Sequence, residues 1–227
     1  EAGGRHNPEF TMLEWYRIGW DHHRLVDETV VFVQSALALL QRRATVVKTS
    51  FRDLYRDRLG IDPFIADEPT LRATLGDIEI DPNGLTRDDW LDLLMTHRLQ
   101  PGFDRDGILV VYDYPPSQCA LAKLRAGPDG EAAVAERFEL YFGPLELANG
   151  YHELTAAPEQ RARFLRDHVV RGERGAVRPP PDEALLAAIA AGLPACAGVA
   201  LGIERLLMAM LGTDRIADVL AFDSSRA

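Results

Sequence analysis

Apolar residues recur at helical spacing near the start of the chain. Between Arg24 and Arg43 they return every three or four positions, as Leu25, Val26, Val30, Val33, Leu37 and Leu40. A stripe with this period is typical of an amphipathic helix with one buried face. The pattern therefore predicts a long helix over Arg24–Arg43 that packs against a core.

Shorter segments with the same period follow, several of them directly behind a Ser, Thr or Asp residue that can cap a helix. These predicted helices are Ser50–Leu59, Thr86–Arg98, Pro158–Val170 and Asp182–Ala191. The stretch from Gly172 to Pro181 is rich in Arg, Gly and Pro, which predicts a surface loop. From Gly60 to Pro101 the periodicity is mixed and does not fix the helix boundaries.

Runs of apolar, β-branched and aromatic residues predict strands, most of them joined by loops or hairpins and not by single crossover helices. The predicted strands are Phe10–Arg17, Ile108–Tyr112, Glu136–Phe142, Leu145–His152 and Ala197–Leu201. Gly143 and Pro144 favour a hairpin between two of them. Together the elements predict an α+β fold of one domain, residues 1–227, with a mainly antiparallel sheet flanked by helices.

Composition is that of an ordinary globular protein, since 47% of the 227 residues are hydrophobic and 26% are charged. No apolar run approaches the roughly 18 residues of a membrane span, and no leader pattern opens the chain, so we expect a cytoplasmic protein without membrane contact. Cys119 and Cys196 lack the spacing of a metal site, which favours free buried thiols over a disulfide or zinc site.

The formal net charge of −10 lacks the basic footprint of a nucleic-acid-binding protein. Any contact with tRNA would have to be local. The charge therefore does not favour tRNA as a partner.

The first stretch with chemical character runs from His6 to Tyr16. Strand alternation would place Phe10, Met12, Glu14 and Tyr16 on one face, and Glu9, Thr11, Leu13 and Trp15 on the other. Carboxylates, amides and aromatic rings on one face suit a planar base and an amine. The alternative is an ordinary strand with surface acids.

The second stretch carries four acids in one hairpin, which would be costly to bring together without a cation. They are Glu136, Glu139, Glu146 and Glu153. Magnesium is the natural candidate because it prefers hard oxygen ligands. Glu146 and Glu153 are seven residues apart, so a bulge at Asn149-Gly150 is needed to bring them to one face. The alternative is a solvated acidic hairpin.

The third stretch spans Cys196–Met208 and has small residues at Gly198, Ala200 and Gly202, which allow a ligand or another backbone to approach closely. Arg205 follows on the first turn of a helix, where it could bind a phosphate with both arms of its guanidinium. The stretch lacks GxxxxGK[ST] and GxGxxG, so P-loop and Rossmann folds are excluded. Tight packing without a ligand is the alternative.

Taken in order, the three stretches resemble motif 2, the acidic strand pair and motif 3 of the class II aminoacyl-tRNA synthetases. The residues that carry the resemblance are HNPEFTMLEWY, then AERFEL with ELANGYHEL, then GVALGIERLLM with IADVLAF. The similarity spans essentially the whole chain. It implies the catalytic domain of that class, with ATP and magnesium as cofactors.

Within this class, Trp15, Ala200 and ELANGYHEL are similar to the elongation factor P (R)-β-lysine ligase family. Lysyl-tRNA synthetases usually have MELY, EIGNGFSEL and Gly at the position of Ala200. The ligases lack an anticodon-binding domain and attach (R)-β-lysine to a lysine of elongation factor P through an aminoacyl adenylate. The resemblance therefore implies a homodimeric enzyme whose acceptor is elongation factor P and not tRNA.

The resemblance also implies roles for individual residues. Those expected to bind ATP are His6, Asn7, Phe10, Glu146, Leu147, Gly202 and Arg205. Those expected to bind the amino acid are Tyr16, Asn149, Glu153 and Ala200. Glu146 and Glu153 would hold magnesium, Phe10 would stack on adenine, and Arg205 with Glu146 would be catalytic.

The chain begins at Glu1, inside what resembles motif 2. We therefore expect an N-terminally truncated protein that lacks motif 1 and the motif 2 arginine, and that binds ATP poorly and is inactive on its own. Two alternatives stay open from the sequence, a fragment of a lysyl-tRNA synthetase and a non-catalytic paralogue.

Overall fold

A seven-stranded sheet forms the centre of the computed structural model, which describes residues 3–127 and 132–224. The strands are β1 (Met12–Ile18), β2 (Val46–Ser50), β3 (Ile108–Tyr114), β4 (Leu124–Arg125), β5 (Val134–Phe142), β6 (Leu145–His152) and β7 (Cys196–Gly202). The α-helices in the described part are α1 (His22–Leu39), α2 (Phe51–Leu59), α3 (Glu68–Leu75), α4 (Arg87–Leu94), α5 (Ala157–Glu173), α6 (Glu183–Gly192) and α7 (Ile203–Leu211).

The strand order is β1-β7-β6-β5-β3-β2, with the short β4 paired to β5. Every pairing is antiparallel except β2 with β3, which is parallel. The structure thus confirms the predicted α+β fold with a mainly antiparallel sheet. The β5–β6 hairpin turns at Gly143, as predicted, with a φ of 53° that favours glycine.

Two apolar clusters cover different parts of the sheet. The first packs α1 and α7 against one face, through residues such as Leu25, Phe138 and Leu201. The second packs α2, α3 and α4 against the other face at the β3–β5 end, through residues such as Tyr55 and Tyr141. On that second face, the β1–β7–β6 end is left without a helical cover, and the candidate site lies there.

Side-chain caps explain where several helices begin. Ser50, Thr86 and Asp182 each accept a hydrogen bond from a backbone N–H of the first turn, so the three predicted starts are correct to within a residue. The predicted end of the first helix at Arg43 is wrong, because the helix stops at Leu39 and Gln41 adopts a φ of 58°.

Other boundaries also differ from the sequence-based expectation. The predicted helix Thr86–Arg98 is α-helical only to Leu94 and continues as a π-helical turn, Met95–Leu99. The predicted loop from Gly172 starts later, since α5 continues to Glu173. Neither β2 nor α3 was predicted.

No helix within residues 3–127 and 132–224 combines the length and the apolar character needed to cross a bilayer. Both cysteines are free thiols, but only Cys196 is buried as predicted, whereas Cys119 is half-buried.

Candidate active site

The pairing register of β1 with β7 determines which side chains form the floor of the site. Met12 pairs with Gly202, Glu14 with Ala200 and Tyr16 with Gly198, so these residues project from the face that lacks helical cover. Leu13 and Trp15 alternate toward the opposite side, and Trp15 packs against the first apolar cluster. The predicted alternation along this strand is confirmed for Met12 through Tyr16.

A cavity of about 620 Å³ opens on this floor. It contains every residue expected to bind ATP, together with two of the residues expected to bind the amino acid. Its lining is Arg5, His6, Asn7, Pro8, Phe10, Met12, Glu146, Leu147, Ala148, Asn149, Ala200, Gly202, Glu204, Arg205 and Ile216. Tyr16 and Glu153 lie outside it, farther along β1 and β6.

The segment from Gly3 to Thr11 forms one wall of the cavity and is held by the end of the chain. The backbone N–H of Thr11 donates to both carboxylate oxygens of buried Glu204, at 3.1 and 2.9 Å. The N–H of Ile203 donates to the Thr11 carbonyl at 3.0 Å, and that of Ile216 to the Gly4 carbonyl at 2.8 Å. The wall is therefore fixed by the first turn of α7 and the segment after it.

Arg205 lies between two predicted nucleotide-binding residues. Its Nη1 donates to the Glu146 carbonyl at 2.9 Å and lies 3.9 Å from the Glu146 carboxylate. Its Nη2 is 3.3 Å from Nδ1 of His6. A guanidinium held at a cavity wall in this way is suited to bind a phosphate.

Asn7 and Phe10 occupy different positions on the same wall. The Asn7 side chain donates to the Glu9 carbonyl at 2.6 Å and accepts from the N–H of Ser224 at 3.0 Å. Phe10 precedes β1 and is 61% exposed, although it lines the cavity. An aromatic ring exposed at a cavity rim is available to stack on a planar base.

A β-bulge at Leu147 brings Glu146 to the cavity face. Leu140 of β5 pairs with Ala148 and the next residue, Tyr141, pairs with Glu146, so Leu147 has no partner in β5. The extra residue reverses the alternation, and Glu146 shares a face with Asn149 and Glu153. The predicted bulge at Asn149-Gly150 is therefore wrong in position, because it occurs nearer the hairpin turn.

Leu147 itself belongs to the first apolar cluster and is 2% exposed. Any contact with a ligand would come from its backbone. Gly150 serves packing instead of a bulge, because a Cβ there would lie 2.3 Å from the Phe138 ring and 2.9 Å from the Gly198 carbonyl.

The four acids of the hairpin do not form one cluster, which corrects the expectation that they do. Glu136 lies on the face covered by α1, where its carboxylate contacts His152 Nδ1 at 2.5 Å and Arg125 Nε at 3.2 Å. Glu139 is on the cavity face but is paired with Arg137 and accepts from the Tyr141 hydroxyl. The other two acids, Glu146 and Glu153, lie on that face, and Arg205 is 3.9 Å from the Glu146 carboxylate.

Burial makes both remaining acids hard to ionise. It raises the pKa of Glu153 to about 7. Burial and the negative charge of Glu139 raise the pKa of Glu146, against the opposing charges of Arg205 and Arg137. A bound cation would relieve this penalty, and hard carboxylate oxygens suit magnesium or an ammonium group.

Glu153 and Tyr16 meet above Gly198. A Cβ on Gly198 would lie 2.4 Å from Oε1 of Glu153 and 2.5 Å from the Tyr16 ring, so only glycine leaves room for both side chains. Burial, together with the charges of Glu153 and Glu14, raises the pKa of Tyr16. A carboxylate beside an aromatic ring is a suitable environment for a cationic amine.

A polar network that was not predicted from the sequence lies next to these residues. Arg137 lies 4.4 Å from the centre of the Tyr114 ring, and its Nε is 3.5 Å from the Asn149 side chain. Asn149 in turn donates to the Tyr151 hydroxyl at 3.2 Å. The sequence did contain an indication of this network, because Arg137 and Glu139 are two residues apart on a strand and must share a face.

Comparisons with known proteins identify the family of this chain. A sequence profile of the family described as tRNA synthetases class II (D, K and N) matches residues 1–226. The elongation factor P–(R)-beta-lysine ligase of Vibrio cholerae is 45% identical over 230 residues, which cover all of this chain and 69% of that protein. Ligases of the same name from Salmonella gallinarum and Salmonella dublin are 42% identical, with the same coverage. The chain therefore belongs to the class II tRNA synthetases and, within them, to the ATP-dependent elongation factor P–(R)-beta-lysine ligase family.

Proposed function

We propose that this protein activates (R)-β-lysine with ATP and transfers it to a lysine side chain of elongation factor P. The observation that carries the proposal is the arrangement on one sheet face. A cavity with an arginine and a glycine at its wall lies beside a carboxylate and an aromatic ring suited to an amine. The names of the relatives supply the substrate and the acceptor.

ATP would occupy the cavity of about 620 Å³. Phe10 would stack on adenine, and His6, Asn7 and Arg205 would contact phosphates. Gly202, whose added Cβ would find its nearest neighbour at 3.8 Å, leaves the wall open for the nucleotide. Glu146 supplies carboxylate oxygens that fit magnesium, which when bound would offset phosphate charge. Glu153 follows the far end of β6, roughly 20 Å away at the usual rise of a strand, so it would not share the same ion, contrary to the expectation from the sequence.

The amino acid would lie along β1, β6 and β7. Glu153 and Tyr16 would receive its ammonium group, and Asn149 would add an amide. Ala200 pairs with Glu14 on one side and Asn149 on the other, so its methyl group forms part of the floor. We infer that this methyl shifts the substrate backbone enough to favour a β-amino acid over an α-amino acid.

The chemistry would proceed in two steps. The substrate carboxylate attacks the α-phosphorus of ATP, and pyrophosphate leaves with the bonding electron pair. The deprotonated lysine amine of the acceptor then attacks the carbonyl carbon of the adenylate and AMP leaves. The first step needs no protein base, because the attacking carboxylate is already deprotonated, so Arg205 and the surrounding donors act there by positioning and charge stabilisation.

The proposal includes elongation factor P as the acceptor, a homodimer as the assembly and the cytoplasm as the location. The names of the relatives support a protein acceptor over tRNA.

The decisive experiment uses the full-length parent protein, because the 227-residue chain is expected to be inactive on its own. It measures ATP–pyrophosphate exchange with (R)-β-lysine or L-α-lysine, followed by transfer to elongation factor P or to lysine tRNA. We expect exchange with (R)-β-lysine and transfer to the protein. Charging of α-lysine onto tRNA would make this protein a lysyl-tRNA synthetase, and absence of exchange with either amino acid would favour a non-catalytic paralogue.

A further inference from the structure

A second cluster of chemically active side chains lies where the start of α1 meets β3, on the sheet face that α1 covers. Nε2 of His22 is 3.0 Å from Oδ1 of Asp113. The ring of His23 follows, with its centre 4.0 Å from that of the His22 ring. Donor atoms from the three residues all lie within 4.8 Å of one another. The cluster takes no part in the proposed reaction.

His22 is incompletely satisfied in this position. Its side chain is 1% exposed, and its Nδ1 has no hydrogen-bond partner among residues 3–127 and 132–224. Buried polar atoms are nearly always paired, so an unpaired imidazole nitrogen calls for an explanation. A ligand that accepts imidazole lone pairs would provide one.

The charges around the cluster tolerate a cation. Arg125 contacts the second carboxylate oxygen of Asp113 but also lies 3.2 Å from Glu136, and Asp21 caps the same helix. Carboxylates therefore outnumber the guanidinium. Asp113 also has a φ of 58°, at the point where the β3–β5 register shifts, which is the kind of strained backbone found at functional sites.

We propose that His22, His23 and Asp113 form a binding site for one divalent transition-metal ion of the zinc type. Two imidazoles and one carboxylate match the donor preference of zinc, whereas magnesium prefers oxygen ligands. Zinc bonds of about 2.0–2.2 Å hold their ligand atoms within roughly 4 Å of one another, so modest side-chain rotation closes the site. The bound ion would tie the start of α1 to β3.

The test is calorimetric titration of the tag-free, chelator-treated protein with Zn²⁺, compared with the variants His23→Gln and Asp113→Asn. His23 has an exposed side chain, so its replacement should leave the fold intact. The control is His97→Gln, which removes another exposed histidine outside the cluster. Circular dichroism checks that each variant is folded.

We expect one Zn²⁺ per chain, bound at least about 10-fold more weakly by both cluster variants and equally well by the control. Bound Co²⁺ should also show visible absorption that is lost in His23→Gln. Equal Zn²⁺ affinity in wild type and His23→Gln would overturn the proposal, and so would displacement of Zn²⁺ by a moderate excess of Mg²⁺.

Discussion

Gly198 controls the space in which two side chains of the candidate amino-acid site meet. The small residues of Cys196–Met208 were expected to allow a ligand or another backbone to approach closely. At Gly198 the approaching groups are instead the protein's own Glu153 and Tyr16. The missing Cβ therefore shapes the site indirectly, by letting these side chains converge.

We predict that Gly198→Ala raises the KM for the amino acid by about 10- to 100-fold, because the new methyl group displaces the carboxylate or the ring from its position. The KM for ATP should change much less. Steady-state pyrophosphate-exchange kinetics of the full-length protein, with each substrate varied in turn, measure both effects.

Gly202→Ala is the matched control on the same strand. Its Cβ would meet nothing closer than 3.8 Å, so the fold should accept it, but the methyl group lies at the cavity wall. We expect a higher KM for ATP with little change for the amino acid. An unchanged amino-acid KM in Gly198→Ala would contradict the assignment of this subsite.

The raised pKa of Glu153 predicts how substrate affinity depends on pH. Binding of an ammonium group needs the carboxylate, whose pKa is about 7 in the unliganded protein. The KM for the amino acid should therefore fall by up to about 10-fold per unit as pH rises toward 7, and level off above it. Glu153→Gln should raise this KM and flatten its profile, whereas Glu14→Gln, at an exposed position on the same face, should keep it.

The same pKa has a consequence for stability. A carboxyl group whose pKa is higher in the folded state stabilises the fold when protonated, and this contribution is lost as pH rises from about 4.5 to about 7. Denaturant unfolding of the unliganded protein should show a wild-type free energy of unfolding that falls over this range. A smaller fall in Glu153→Gln is expected, and an identical fall would contradict the assignment.

At the scale of elements, the start of α4 depends on a capping box. The Thr86 hydroxyl accepts from the Asp89 N–H at 3.4 Å, and the Asp89 carboxylate accepts from the Thr86 N–H at 2.7 Å. We predict that Thr86→Ala lowers the free energy of unfolding by about 1 kcal/mol, measured by denaturant titration.

Thr74→Ala is the comparison for this effect. Its hydroxyl bonds to the Thr70 carbonyl inside α3 and caps nothing. Because alanine has the higher helix propensity, this change should be neutral or slightly stabilising. A loss of equal size in both variants would show that the capping box has no special role.

Elements with strong local signals were predictable, whereas those that depend on tertiary context were not. The capping residues Ser50 and Thr86 predict the helices that follow them, and Gly143 predicts the hairpin turn. The strand β2 was missed because it is short and pairs in parallel with a distant β3, which no local pattern encodes.

The bulge in β6 also depends on tertiary context, so its position in the candidate site could not be predicted from the local sequence. The spacing of Glu146 and Glu153 required a bulge, and one exists. The bulge lies at Leu147 because that side chain packs into the core. The sequence around Asn149-Gly150 gives no sign of this packing. The residues lining the cavity were largely predictable, since the resemblance named nine of them, but the anchoring role of Glu204 was not.

At the scale of the whole molecule, Glu204 links the two ends of the described chain. We predict that Glu204→Ala frees the wall from Gly3 to Thr11 and raises the KM for ATP by about 10-fold or more, because the phosphate contacts lose their fixed positions. The KM for the amino acid should change little, since Tyr16 lies farther along β1. Limited proteolysis should show faster cleavage in the freed wall.

Glu183→Ala is the control for removal of an acid. Glu183 forms an exposed ion pair with Arg161, and such pairs contribute little to stability. Its ATP kinetics should match wild type. Retention of wild-type ATP kinetics by Glu204→Ala would show that the wall is held without this carboxylate.

The pairing of β1 with β7 also determines when the protein becomes competent during synthesis. One wall of the cavity comes from Gly3 to Thr11 and another from Gly202 to Ile216, near the end of the described chain. A polypeptide still emerging from the ribosome therefore cannot complete the cavity. Nascent chains would gain no stability from ATP, and partly synthesised molecules could not consume the amino acid.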